Sequence, residues 1–404
     1  MNAHDGTQPG TATRRTINAH ARQDLGLPYP FDETTYRARL ARVRESLRRR
    51  GSGGLLIFDQ ASMFYLFGYD QLGYWVFQAV WVPTSESEPV QGICRAPDRE
   101  LMARGVGIDE VRVWLDDDRE SPTATLMRWA RESGANRIDV ELASHALRGD
   151  YVRELYLHAE SCGISLESGD EVVLALREVK DDGELDLMRA AGRALDRAYL
   201  AVEERIAPGV LETELSSAVL AALLAEGCDP ASVPPCISAG SRTLAQTHLS
   251  AKPLPVPEAD IVTVELGAAK ERYHAVAFQT YFMEGAPRAY LDQYRAIRDT
   301  VLAGVEELVP GRNAAEVAGS IHDRLVRAGS GRVGRHVGYG TGIGFAPTWL
   351  EGLRIKRSQE YELQPGMTFF LFAGAPTLDG ARHMGYGVPV AVTANGPELL
   401  SSHV

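Results

Sequence analysis

The stretch Asp260–Phe282, DIVTVELGAAKERYHAVAFQTYF, constrains this chain more than any other. An apolar run, Ile261-Val262-Thr263-Val264, leads into Glu265 and Leu266. A short polar turn around Lys270-Glu271 follows, then a second apolar run from Tyr273 to Phe282. Two strand-like runs joined by a few turn-forming residues predict a β-hairpin. Centring the turn between Lys270 and Glu271 sets Glu265 opposite Val276. Period-2 alternation then puts His274 on the same face, one diagonal step away, roughly 7–8 Å and within reach of one small ligand. The hairpin therefore predicts a carboxylate and an imidazole looking out of one apolar sheet face. Taken alone, it fits equally well a buried glutamate tied to an arginine.

A length of 404 residues makes two domains the natural expectation. With 45% hydrophobic and 24% charged residues the chain has the composition of an ordinary globular protein with a sizeable core. Its net charge of −12 comes without a basic block beyond patches such as Arg48-Arg49-Arg50, which argues against a nucleic-acid partner. No apolar run approaches the roughly 20 residues of a bilayer span, and no secretion-signal core is present, so no membrane partner and a cytoplasmic location are expected. Cys94, Cys162, Cys228 and Cys236 lack CxxC or zinc-ligand spacing and read as reduced thiols.

Residues 1–26 read as a flexible tail, 27–175 as a small α/β domain with a mixed sheet, and 176–404 as the catalytic domain. In the first domain a helix is expected over 31–50, then the strand GGLLIFD, then a β-like aromatic stretch, MFYLFGYDQLGYWVFQAVWVP. In the second, a long helix runs from Gly183 to about Ile206 and another from Leu211 to about Glu226, ahead of the hairpin. Helices near 288–308 and 314–328 precede a strand-rich ending. Helix–helix–hairpin followed by helix–helix–strands is a duplicated layout.

The hairpin sits among further signposts: Lys180…Glu184…Met188-Arg189, the Pro208-Gly209 stop, the His248 segment, GYGTGIGFAPTWLEG (338–352) and QPGMTF (364–369). In this order and spacing they resemble the creatinase/aminopeptidase P/methionine aminopeptidase ("pita-bread") family, over roughly Pro30 to Thr393. The resemblance implies a fold class of α/β plus α+β: a small N-terminal creatinase-like domain and a C-terminal pita-bread domain, in a homodimer. Metallopeptidases of that family bind two divalent ions through Asp, Asp, His, Glu and Glu. The matching positions here are Glu265, Val276, Thr341, Phe372 and Gly387. Val, Phe and Gly offer no side-chain ligand to a hard dication, and no carboxylate occurs between 381 and 393. No metal ligands and no cofactor are therefore expected.

The likeness is to the metal-free branch, creatinase and ectoine hydrolase. It includes PFDETTYRARLARVR, FGYDQLGYWVFQ, Tyr273-His274 and QPGMTFFLFAG. Ectoine hydrolase-like sequences carry a Glu near the end of the last strand, where this chain has Gly385, Gly387 and Val388. The function this implies is metal-independent C–N hydrolysis of a small, cationic, cyclic amidine or guanidino compound. A metal-free lyase, cyclase or dehydratase on the same scaffold is the first alternative, and a non-catalytic binding module the second.

The expected catalytic residues are His248, Glu265 and His274. His248 matches the loop histidine of creatinase-like enzymes, and an imidazole is the side chain suited to water activation near neutral pH. Glu265 would pair with the substrate cation, since burial disfavours a lone carboxylate. His274 would orient Glu265, donate to the leaving nitrogen, or simply pack. Tyr339, Thr341, Trp349, Glu351 and Phe372 are the expected substrate-binding residues. Tyr74 and Trp75 match aromatics that family dimers lend to the neighbouring subunit's site. Gly338, Gly340, Gly342 and Gly344 allow close backbone approach, but without a following helix they are no phosphate cradle.

Overall fold

The computed structural model describes residues 17–18, 29–245, 248–328 and 336–403. The chain divides between Val172 and Val173 into two compact units. The tail expected over 1–26 lies outside the described residues except for Ile17–Asn18.

The first unit carries, among the described residues, a seven-stranded mixed sheet: β1 (Ile17–Asn18), β2 (Gly54–Ile57), β3 (Ala79–Pro83), β4 (Gln91–Cys94), β5 (Glu110–Val113), β6 (Arg137–Val140) and β7 (Ser165–Ser168). Their order is β1-β5-β4-β3-β2-β6-β7. The first helix, Glu33–Arg50, starts where the Asp32 side chain accepts from the Thr35 N–H, and stops at Gly51 with φ 64°. The aromatic stretch expected to be β-like begins instead as a helix, Gln60–Phe67. Asp59 caps it, Gly68 ends it at φ 63°, and all eight residues are buried. A helix buried on every side has no amphipathic period to read, so its apolar run imitates a strand. Only Ala79–Pro83 of that stretch is β.

The second unit is built on β8 (Cys236–Ala239), β9 (Ile261–Lys270), β10 (Tyr273–Phe282), β11 (Gly338–Phe345), β12 (Thr348–Ile355), β13 (Thr368–Pro376), β14 (His383–Thr393) and β15 (Gly396–Leu399). The order is β12-β11-β13-β14-β10-β9-β8, with β15 on β14 and a further pairing of β11 with β10. Helices Asp182–Glu203 and Glu212–Ala225 pack their apolar faces on Val262, Val264, Leu266 and Ala277. The Tyr199 hydroxyl reaches the Val264 and Ala277 carbonyls, at 3.1 and 2.7 Å. Helices Arg288–Val305 and Ala314–Arg327 cover Phe369, Leu371, Val388 and Val390 in the same way. Alternation along the strands sends Val276, Phe278 and Phe370 to the opposite face, where they cluster with Tyr339 and Trp349.

The hairpin turn is Glu271-Arg272, with φ 47° and 64°. Positive φ at both positions is the signature of a two-residue type I′ connection, whose twist matches that of its strands. Lys270 therefore pairs with Tyr273, and Glu265 stands opposite Phe278, not Val276. The expected register was wrong by two residues because the turn lies one residue later. A two-residue shift keeps every side chain on its face. His274 thus shares a face with Glu265, but it pairs with Ala269. It lies four cross-strand pairs from Glu265 instead of one diagonal step, roughly 13 Å along the strand.

Candidate active site

Glu265 occupies the middle of β9 and is 9% exposed. Cys236 of β8 and Phe278 of β10 flank it in register. Next to Phe278 comes Gly387 of β14, which in turn pairs with Phe372 of β13. A Cβ on Gly387 would lie 2.5 Å from the Phe370 ring, and one on Gly385 would lie 2.1 Å from Phe278. These two glycines are the floor on which the rings rest. Phe370 and Phe372 stack at 4.9 Å and 12°. Tyr339 stands edge-on to both, and the Trp349 indole N–H donates to its hydroxyl at 3.0 Å. Trp349 also covers Gly267, where a Cβ would lie 3.0 Å from its ring. Rings from β11, β12 and β13 are in this way drawn towards the strand that carries Glu265. Burial, and after it the Glu265 charge, push the Cys236 thiol up to about 11 and raise the Tyr339 phenol further. Both are protonated at neutral pH.

The five positions matched to metal ligands can be tested against this geometry. Val276 is buried in the apolar cluster, Phe372 is stacked, and Gly387 has no room for a side chain. Thr341 is buried, and its hydroxyl has no hydrogen-bond partner. No group of three or more His, Cys, Asp or Glu suited to an ion occurs among the described residues. One carboxylate and one hydroxyl do not fit a dinuclear centre.

His274 is fully buried, with Nδ1 2.7 Å from the Arg272 carbonyl. Its Nε2 accepts from the Ser232 N–H at 3.0 Å and lies 2.8 Å from the Ser232 hydroxyl. The ring is a neutral brace between the hairpin turn and the loop before β8. Both nitrogens are engaged within the protein, which corrects the catalytic role expected for it. Burial lowers its pKa to about 4 from the usual 6.5. Between those values the unfolded chain binds the proton and the folded one does not, so stability falls as pH drops through this window. We expect a loss of about 3 kcal/mol. Urea midpoints at pH 7 and pH 4 would show it, and His274→Asn should flatten the dependence. An equal acid loss in that variant would assign the effect elsewhere.

Glu351 is also corrected. Its carboxylate takes a hydrogen bond from Arg177 Nη2 at 3.1 Å and an ion pair from Lys180, with all three side chains at most 4% exposed. Burial would raise its pKa, but the two cations outweigh burial and hold it below the usual carboxylate range. It is an internal anion beneath Gly342, not a pocket wall.

His248 is exposed in the loop after β8 and enters no hydrogen bond or ion pair among the described residues. The structure therefore does not join it to Glu265. Tyr74 and Trp75 belong to the first unit, edge to face at 6.1 Å, and Trp75 is 69% exposed. Several residues escaped the sequence reading. Cys236, Phe278 and Phe370 border the site only through register. His336 stands 5.6 Å from the Phe372 ring. His383 opens β14 on the Gly385–Gly387 face, its pKa lowered by burial to about 4 and its Nδ1 without a partner. The HMGYG pattern that opens β14 was the available signal.

Comparison with known proteins agrees with this architecture. Residues 186–394 match Metallopeptidase family M24, and 39–179 match the Creatinase/Prolidase N-terminal domain. The chain belongs to the M24 family. It combines the creatinase-type N-terminal domain with the M24 pita-bread domain, and M24 is a family of hydrolases. Ectoine hydrolase of Halomonas elongata is 26% identical over 392 residues, covering 92% of this chain and 96% of that protein. The probable dipeptidase PepE of Mycobacterium bovis is 25% identical, over 87% and 91% of the two chains. The solved prolidase from Thermococcus sibiricus superposes with a TM-score of 0.81 at 19% identity, covering 91% of this chain and 97% of its own. The N-terminal domain of FACT complex subunit SPT16 from chickpea does so at 0.74 and 13%, over 92% and 97%. These last two show the fold alone. Among the described residues no helix is long and apolar enough to cross a membrane.

Proposed function

We propose that this M24 member is a metal-independent hydrolase cleaving a C–N bond of a small cationic amidine or guanidino compound. One observation carries the reading: where the family's dinuclear site would stand, a single carboxylate, Glu265, is walled by aromatic rings. The similarity to ectoine hydrolase supports the same class. Glu265 pairs with the cationic C–N centre, and His248 takes a proton from the attacking water. With His274 committed as a brace, Tyr339 remains to protonate the leaving nitrogen. Its hydroxyl accepts from the Trp349 indole at 3.0 Å, which leaves its O–H as the donor. Each such acid–base step contributes on the order of 10²–10⁴ in rate.

The test is turnover of ectoine, creatine and Xaa-Pro dipeptides by purified protein, with and without chelator or added Mn²⁺. Chelator-resistant hydrolysis of an amidine or guanidino compound is expected. A stoichiometric divalent ion whose removal abolishes activity, or hydrolysis of the dipeptides alone, would overturn the reading. Elimination or cyclisation on the same scaffold is the second reading, favoured by the ring that takes the side-chain space at Gly387. A product lacking the elements of water would select it. We further propose a homodimer, because Leu72 and Trp75 leave an apolar patch in solvent. Light scattering at micromolar concentration should give twice the chain mass, and a monomer would refute it.

A further inference from the structure

The two acidic residues that open the helix Glu212–Ala225 serve different segments. Glu214 serves its own helix, its carboxylate accepting from the Leu211 N–H at 2.8 Å. Glu212 is buried, and its carboxylate is given to the loop that follows β8, the loop that carries His248. We infer that Glu212 is the positioning residue for His248: it clamps both ends of that loop and so fixes where the imidazole can reach. This rests on the reading that His248 activates water, and it names the side chain that holds His248 to the site.

The hydrogen bonds carry it. Glu212 Oε1 accepts from the Ala239 N–H at 2.9 Å and from Arg242 Nε at 3.0 Å, and Oε2 accepts from the Lys252 N–H at 2.9 Å. The two amides stand 27 and 40 positions further along the chain, so one carboxylate closes the loop between them. Arg242 braces the loop across its middle, with Nη2 donating to the Ser250 carbonyl at 3.1 Å. His248 lies two residues before Ser250, so its Cα stays within about 7 Å of the Ser250 Cα. The root of the loop is tied to the site on two sides. Ala239 ends β8, the strand whose first residue, Cys236, pairs with Glu265, roughly 10 Å away along the strand. The Thr243 hydroxyl donates to the Gly240 carbonyl at 2.8 Å and accepts from the His383 N–H at 3.2 Å, on the strand that carries Gly385 and Gly387.

Energetics favour a dedicated role. Burying a carboxylate is costly unless hydrogen bonds replace its water, and here the donors come from the loop, not from the helix. The helix start is favourable ground for the charge. A loop without such a clamp samples many end-to-end arrangements, and a catalytic group misplaced by about 1 Å loses on the order of 10² in rate. Glu212 touches no substrate; it acts through the loop.

Glu212→Gln puts an NH2 group where one acceptor oxygen stands, so it releases one end of the loop while keeping the shape. In the full chain, hydrogen exchange should rise over residues 239–242 or at Lys252, and trypsin should cut faster after Arg242. The helix Asp182–Glu203 should keep its protection. Arg242→Met removes only the brace to Ser250; it should raise exchange at Lys252 more weakly and guards against a folding defect in the glutamine variant. With ectoine and creatine as probe substrates, Glu212→Gln should lower kcat about ten- to hundredfold and leave KM within about threefold. In a His248→Ala background the same substitution should change kcat by less than about twofold, because the group it places is gone. Equal losses in both backgrounds would make Glu212 a structural residue and overturn the inference while the His248 reading stands. Unchanged exchange and cleavage would do the same. If His248→Ala turns either compound over like wild type, or wild type turns over neither, the inference falls together with His248 as the base.

Discussion

Replacing Glu351 by glutamine should destabilise the M24 unit by about 3–5 kcal/mol, the usual cost of breaking a buried ion pair by removing one partner. The carboxylate serves Arg177 and Lys180 together, and none of the three side chains is more than 4% exposed. Glutamine has nearly the same shape but takes away the anion that the two buried cations share. Urea unfolding should show a lower midpoint with an unchanged slope. The triple variant Arg177→Met/Lys180→Met/Glu351→Leu removes all three charges and should lose far less than the single one. A single variant within 1 kcal/mol of wild type would mean that the triad is not a unit. The folded carboxyl is held below its usual pKa, so its stabilisation is present above the unfolded carboxylate range and is lost as pH falls through the lower folded value. The triad ties β12 to the entrance of the helix Asp182–Glu203, where Asp181 and Glu184 form a capping box. Arg177 also donates to the Ile343 carbonyl at 3.2 Å, so Glu351 acts on the site by positioning β11.

Glu265→Gln should lower kcat/KM for a cationic substrate by roughly 30- to several-thousand-fold. That range corresponds to about 2–5 kcal/mol for removing one partner of a buried charge pair. Glutamine keeps the shape, so the fold should persist. A second readout needs no substrate. The Glu265 anion contributes, after burial, to the raised thiol of Cys236, so the variant's thiol should titrate lower and alkylate faster near pH 9–10. His248→Ala should behave differently, keeping ligand affinity while losing rate on the order of 10²–10⁴. If Glu265→Gln binds a substrate analogue and turns substrate over like wild type, Glu265 is structural and the amidine reading fails. An unchanged thiol would show that the carboxylate is not ionised beside Cys236.

The sequence by itself determined what depends on short-range geometry. Strand alternation repeats every two residues, so Glu265, His274 and Val276 were assigned to one face and remain there despite the register error. Helix starts are equally local: the helix expected from Gly183 begins one residue earlier, at Asp182, where Asp181 and Glu184 close a capping box. That Val276, Phe372 and Gly387 bring no donor atom to the family's ligand positions is a property of the sequence alone, because those side chains lack one in any conformation. What a polar residue does with its charge was decided elsewhere. His274 is held by Ser232, 42 residues away, and Glu351 by Arg177, 174 residues away. Nothing near either residue in the chain records those partners. The register was decided by whether the turn took Lys270-Glu271 or Glu271-Arg272, choices that differ by one residue and whose outcome depends on the whole sheet. The wall of rings appears only when β10, β11, β12 and β13 are brought side by side. A side chain's role is a matter of which atoms replace the water it loses on burial, and those atoms are supplied by tertiary packing.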